Sequence, residues 1–226
     1  MLILHHPIGV QSNSKLFFMP FFYQQNINEH THFAIWSIQE PLSYFEEEMT
    51  LAVEIQNEER KIQHLAGRWL LKLMMPEVEL EKIEMAPNGK PWIPDAGFHF
   101  SISHCKGYAA CAISELHPIG IDIEIIHARI AKVAHKFLHQ KETELITELL
   151  PDSQLKQQGF YWAAKEAMYK MYEQHGIDFS QHFLIPELAN EDYGIAQGLI
   201  MHKNNTLKVQ LPYHFGEDYV CVISMT

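Results

Sequence analysis

The segment GIDIEII, residues 120–126, sets two carboxylates into an otherwise aliphatic run. Side chains two apart on a strand share a face, so Asp122 and Glu124 stand together and repel unless a positive charge lies between them. Burying such a pair without partners costs several kcal/mol. If the acids hold an ion, oxygen ligands with no Cys or His nearby in sequence select Mg²⁺ or Mn²⁺ over zinc. Mg²⁺ held by two or three carboxylates completes its shell with water and substrate phosphate, so a phosphate-bearing substrate follows. The competing reading leaves the acid face in solvent, with Ile121, Ile123 and Ile125 buried behind it. A third acid lies in FYWAAKEAMYKMY, residues 160–172. At helical spacing Phe160, Ala163, Ala164, Ala167 and Met171 form an apolar face, while Trp162, Glu166 and Lys170 run four apart along its border. Taken alone, Glu166 and Lys170 read as an ordinary ion pair on a solvated helix.

These residues need a frame, and the chain supplies one twice. In the first half a strand-like stretch at 32–38 precedes a helical stretch from about 46 to 75, then strand-like FHFSIS and YAACAIS. In the second, IGIDIEII precedes helical patterns across 129–149 and 155–174, then GIAQGLIMH, LKVQLPY and YVCVIS. HCKGYAACAIS (104–114) and HFGEDYVCVIS (214–224) share His, Cys, Ile and Ser at a constant offset of 110 residues. Turn chemistry places breaks at Pro87-Asn88-Gly89, at Pro94-Asp95-Ala96-Gly97 and at His117-Pro118, the last being the joint. The expectation is an α+β fold of two similar α/β halves in tandem, 1–116 and 117–226, related by a pseudo-two-fold. Each half is a small, mainly antiparallel sheet packed with helices. The second half carries the metal acids, which face the seam, and the active site lies in the cleft between halves.

Bulk properties narrow the function. The 226 residues, 47% hydrophobic with 4 Trp, 9 Tyr and 13 Phe, suffice for a packed core. No run reaches the length of a membrane span, and the start MLILHHPIGV lacks a basic region, so the expectation is a cytoplasmic protein with no membrane partner. The 3 cysteines form no C-x-x-C pair, which argues for reduced thiols. A net charge of −11 with no basic run argues against nucleic acid. A polyanionic small molecule stays open, given a metal and a few basic groups in one pocket.

PNGKP (87–91), SISHC (101–105), GIDIE (120–124), KFLHQKE (136–142) and WAAKEAMYK (162–170) follow one another in an order and spacing that resembles the 4′-phosphopantetheinyl transferases, in the Sfp-type branch with two tandem halves. The resemblance implies an enzyme that moves the phosphopantetheine arm of coenzyme A to a serine hydroxyl of an apo carrier protein (acyl, peptidyl or aryl), releasing adenosine 3′,5′-bisphosphate. It implies that Asp122, Glu124 and Glu166 hold Mg²⁺, or Mn²⁺, on the pyrophosphate. It implies further that Glu166 serves as general base, directly or through water, and that Lys170 neutralises phosphate charge. Lys165 enters as a weaker contact to coenzyme A. Lys90, Ser103 and His104 match positions that contact the adenosine 3′-phosphate. Arg60 and Arg68 are either further basic contacts or solvated.

Two departures stand out. Ser101 and Cys105 flank the Ser-His pair where the family often has Asn and Ser, and Lys15 is the only Lys or Arg among the first 40 residues. His135, His139 and Glu142 have zinc-like spacing but fall in the segment that matches the family. Two other functions remain: a non-catalytic module that binds coenzyme A or a carrier, and a Mg²⁺-dependent nucleotide pyrophosphohydrolase. Fused halves make a monomer the simplest expectation.

Overall fold

The structure is a computed structural model that describes residues 22–49, 55–86 and 89–226. Lys15 and the Pro87-Asn88 part of the expected turn lie outside the described residues. The first half contains β1 (Phe22–Asn28), β2 (Thr31–Ser37), α1 (Leu42–Glu48), α2 (Glu58–Met74), β3 (Glu84–Met85), β4 (Pro91–Trp92), β5 (His99–Cys105) and β6 (Tyr108–Ser114). The second contains β7 (Gly120–Ile125), α3 (Arg129–Val133), α4 (Gln140–Thr147), α5 (Pro151–Tyr172), α6 (Phe179–His182), β8 (Phe183–Leu184), β9 (Tyr193–His202), β10 (Asn205–Phe215) and β11 (Tyr219–Ser224). The polar strand β1, FYQQNIN, carries too weak an apolar alternation to be read from sequence; it is held by its pairing with β2.

Two antiparallel sheets result, ordered β1-β2-β6-β5 and β7-β11-β10-β9-β8, beside the small β3-β4 ribbon. The run β2-β6-β5 under α2 repeats as β7-β11-β10 under α5, so the fold is α+β with two tandem halves. The letter match at an offset of 110 does not follow that repeat. Cys111 packs in the core under α2, whereas Cys221 packs between the two sheets. The two motifs are therefore one residue out of phase, and with a side-chain period of two that puts their cysteines on opposite faces.

The seam between the sheets is apolar. Phe33, Ile35, Ala110 and Ala112 of the first sheet meet Ile121, Ile123, Cys221 and Ile223 of the second. The isoleucines of β7, not the acids, face this seam, which corrects the orientation expected from sequence. The acid face does not lie in solvent either, because α5 covers it and Asp122 is only 5% exposed. Strands β5 and β7, each an outer strand of its own sheet, lie against one another. A sheet edge leaves backbone groups that need partners. Here Ser101 Oγ accepts from Ile121 N (3.1 Å), Lys170 Nζ donates to Ile121 O (3.0 Å), and Lys90 Nζ donates to Ile119 O (3.1 Å). Among the described residues no helix is long and apolar enough to cross a membrane, and Cys105, Cys111 and Cys221 are free thiols.

Candidate active site

The closeness of α5 to β7 begins with one glycine. A Cβ on Gly120 would lie 2.0 Å from Ala167 O, so only a residue without a side chain lets the helix backbone settle there. That approach brings the Trp162, Glu166, Lys170 row onto the acids of β7. Asp122 Oδ1 accepts from Ser103 Oγ (2.7 Å) and from Lys170 Nζ (2.7 Å), and Glu124 Oε1 accepts from Trp162 Nε1 (3.1 Å). Lys170 thus turns to the strand rather than pairing along its own helix with Glu166. Asp122 Oδ2 is buried without a hydrogen-bond partner.

The carboxyls sense one another. Burial, and after it the charge of Asp122, pushes both Glu124 and Glu166 up to about 7. Lys170 opposes the rise in both, and the Trp162 hydrogen bond opposes it in Glu124. Such a set of oxygen donors, with one buried oxygen unsatisfied and like charges pressed together, fits a divalent cation. As placed here, no three His, Cys, Asp or Glu side chains among the described residues converge closely enough to hold one ion. Lys170 and the Trp162 indole take the neighbouring acid oxygens instead.

A second cluster lies along α2. Arg60, His64 and Arg68 are four apart and share one side of the helix. Gly67 lets α2 close onto β5, since a Cβ there would meet Ile102 Cγ2 at 2.6 Å. His104 on β5 then faces the row: its Nδ1 lies 3.2 Å from Gln63 Oε1, and its ring is 6.3 Å from that of His64. Burial, then the nearby cations, lowers both histidines to about 4. The leading cation is Lys170 for His104 and Arg68 for His64. None of Arg60, His64, Arg68 or His104 makes an ion pair with a carboxylate among the described residues. The row of four-residue spacings was the signal in the sequence; what it lacked was the strand it faces.

The structure parts residues that the resemblance groups. Ser103 and His104 point to opposite faces, as successive strand residues do: Ser103 is turned to Asp122 and His104 to α2. Lys90 does not join His104 either; it pairs with Glu173 and lines a cleft of about 150 Å³ with Gly89, Ser101, Glu166 and Lys170, between the halves. Lys165 is fully buried, 2.6 Å from Glu142 Oε2, and donates to Phe137 O, Phe179 O and Phe183 O, so its ammonium is held by the fold. The zinc spacing dissolves as well. His139 caps α4 in a reciprocal box with Glu142, whose carboxylate Lys165 holds.

Comparisons with known proteins match both halves of the chain. Residues 118–224 match the model of the 4′-phosphopantetheinyl transferase superfamily, and residues 47–114 match that of the 4′-phosphopantetheinyl transferase N-terminal domain. The chain is 39% identical over 82 residues to the 4′-phosphopantetheinyl transferase gsp of Aneurinibacillus migulanus, a match covering 36% of this chain and 34% of that protein. It is 38% identical over 135 residues to 4′-phosphopantetheinyl transferase Sfp of Bacillus subtilis, covering 58% and 53%. To HetI of Nostoc sp. it is 32% identical over 124 residues, covering 50% and 52%. The matched stretches span a third to about half the length of these relatives. With both halves matched in order across the joint, the chain belongs to the 4′-phosphopantetheinyl transferase superfamily, in its Sfp-type branch.

Proposed function

We propose that this protein transfers the 4′-phosphopantetheine arm of coenzyme A to a serine of an apo carrier protein, acting as a cytoplasmic monomer. The observation that carries the reading is the gathering of Asp122, Glu124 and Glu166 around the Lys170 ammonium, beside a cluster on α2 and β5 whose cations pair with no carboxylate among the described residues. One end suits a pyrophosphate with its counter-ion, the other a terminal phosphate monoester.

In the reaction the serine oxygen forms a bond to the phosphorus that bears the pantetheine arm. The bond from that phosphorus to the bridging oxygen breaks, and adenosine 3′,5′-bisphosphate leaves. Asp122, Glu124 and Glu166 are the residues that would hold a divalent ion, which when bound supplies charge neutralisation at the pyrophosphate oxygens. Glu166 takes the hydroxyl proton, directly or through water; a carboxyl raised to about 7 is matched to that task near neutral pH. Lys170, fixed by Ile121 O and Asp122, places its positive charge where the leaving phosphate gains charge. Ser103 holds Asp122 in place.

Incubation with coenzyme A and Mg²⁺, with and without an apo carrier, followed by mass measurement of carrier and nucleotide, tests the reading. Carrier gaining the phosphopantetheine mass supports it. Nucleotide cleavage without carrier points to hydrolysis, and binding without turnover to a non-catalytic module. Within the same assay Glu166→Gln keeps the shape of the side chain but cannot accept the proton. It should lower kcat by about a hundredfold or more, with a smaller change in coenzyme A affinity. A loss confined to KM would leave Glu166 a ligand only.

The α2 cluster gives a separate expectation. Arg68→Ala should reduce kcat/KM for coenzyme A by about tenfold to a hundredfold, the worth of a charge-assisted hydrogen bond, mostly through KM. With 3′-dephospho-coenzyme A the same variant should match wild type, because the group it contacts is missing. Equal damage with both substrates would place Arg68 in the fold rather than on the phosphate.

A further inference from the structure

The cluster on α2 is unusual in a chain of net charge −11, where acids outnumber Lys and Arg by 28 to 17. Arg60, His64 and Arg68 occupy consecutive turns of one helix side, and His104 closes the group from β5. The charged and titratable groups facing His64 are Arg60 and Arg68 from its own helix and His104 from β5; Lys170 of α5 acts on His104 together with Arg60 and Arg68. No carboxylate among the described residues balances them. Gln63 orients His104: with the Nδ1 hydrogen donated to Gln63 Oε1, Nε2 is the nitrogen left to take a proton. The imidazoles are uncharged here for a physical reason, since half-buried rings beside guanidinium groups gain nothing from a further positive charge. A phosphate monoester, which carries a charge of nearly −2 at neutral pH, reverses that balance.

Resting on the transferase reading above, we infer that His64, to which the family match gives no role, joins His104 in binding the terminal 3′-phosphate of coenzyme A as an imidazolium, so that binding takes up protons from solvent. His64 thereby becomes a specificity-determining residue for phosphorylated over dephosphorylated coenzyme A. The sign is fixed by linkage. Both rings are neutral at pH 7 in the free protein and are lifted by the dianion, so affinity for coenzyme A rises as pH falls from 8 to 6, by up to about tenfold per pH unit for each proton bound. A phosphate held by arginines alone behaves oppositely: it surrenders its own residual proton, and affinity rises with pH.

Calorimetric titration of the full chain with coenzyme A and with 3′-dephospho-coenzyme A, at pH 7 without metal, in two buffers of different ionisation enthalpy, counts the protons directly. The expected result is uptake of roughly half a proton or more per coenzyme A and almost none with the dephospho compound. H64N should cut the uptake and weaken coenzyme A about tenfold, with no change for 3′-dephospho-coenzyme A. H64Q serves as a second variant, and the wild-type proton count stands whether or not either variant folds. Proton release or no net proton exchange with coenzyme A, or uptake that survives both substitutions, overturns the inference while leaving the transferase reading intact. Failure of coenzyme A to bind at all overturns both.

Discussion

Asp122→Ala lowers kcat/KM for carrier modification by about a thousandfold, yet leaves the protein at least as resistant to heat as before. The activity loss follows from three contacts that end at once: the partner of Lys170, the acceptor of Ser103 and the buried Oδ2 that a cation would use. The unchanged stability follows from the same electrostatics. Asp122 is, after burial, the leading cause that raises both Glu124 and Glu166, so its removal relieves repulsion. Lys170 keeps two acids and the Ile121 carbonyl nearby. A site that stores like charge is expected to trade stability for function. Turnover near normal at subsaturating Mg²⁺, or a melting temperature that falls in step with activity, would refute the assignment.

The second large effect is structural. Glu142→Ala should destabilise the fold by about 3–5 kcal/mol, because it strands the Lys165 ammonium where water cannot reach it. Both members of that pair are fully buried; burial presses Glu142 up and Lys165 down, and each is the main counterweight to the other. The carboxylate also accepts from His139 N and Ile185 N, and the amine donates to three carbonyls, so five backbone groups from three stretches of chain, 137–139, 179 and 183–185, meet on one ion pair. For a chain of this size the melting temperature should drop by roughly 10 °C. Replacing both residues, Glu142→Leu with Lys165→Met, should recover most of that loss. If the single alanine variant melts within a degree or two of wild type, the pair is not what fixes the start of α4 to α5.

Much of the site was legible because strand and helix periods are strict. Asp122 and Glu124 had to share a face, Glu166 and Lys170 had to align with Trp162, and the structure brings these groups together. What sequence could not supply was whatever depends on a third element. Lys165 entered only through the family resemblance, and the sequence could not show that segments at Phe137, Phe179 and Phe183 cover its side of α5. Lys90, Ser103 and His104 were grouped by the family resemblance, whereas the pleat sends Ser103 and His104 apart and Glu173 claims Lys90. Arg60 and Arg68 could not be told from solvated residues until Gly67 set α2 against β5.

The contact between β5 and β7 has a consequence for dilution. The acid that meets Lys170 is held by a serine from the other sheet, and the edge of β7 is sealed by Ser101 and Lys90 across the same line. If the sheets were separate chains, this alignment would be a binding equilibrium, and the site would fall apart at low concentration. Residues 115–119 join the two sheets within one molecule, which replaces that equilibrium with an effective concentration set by a five-residue tether. Turnover per molecule should therefore stay constant as the enzyme is diluted, so that a cell with only a few copies has as competent a site as one with many.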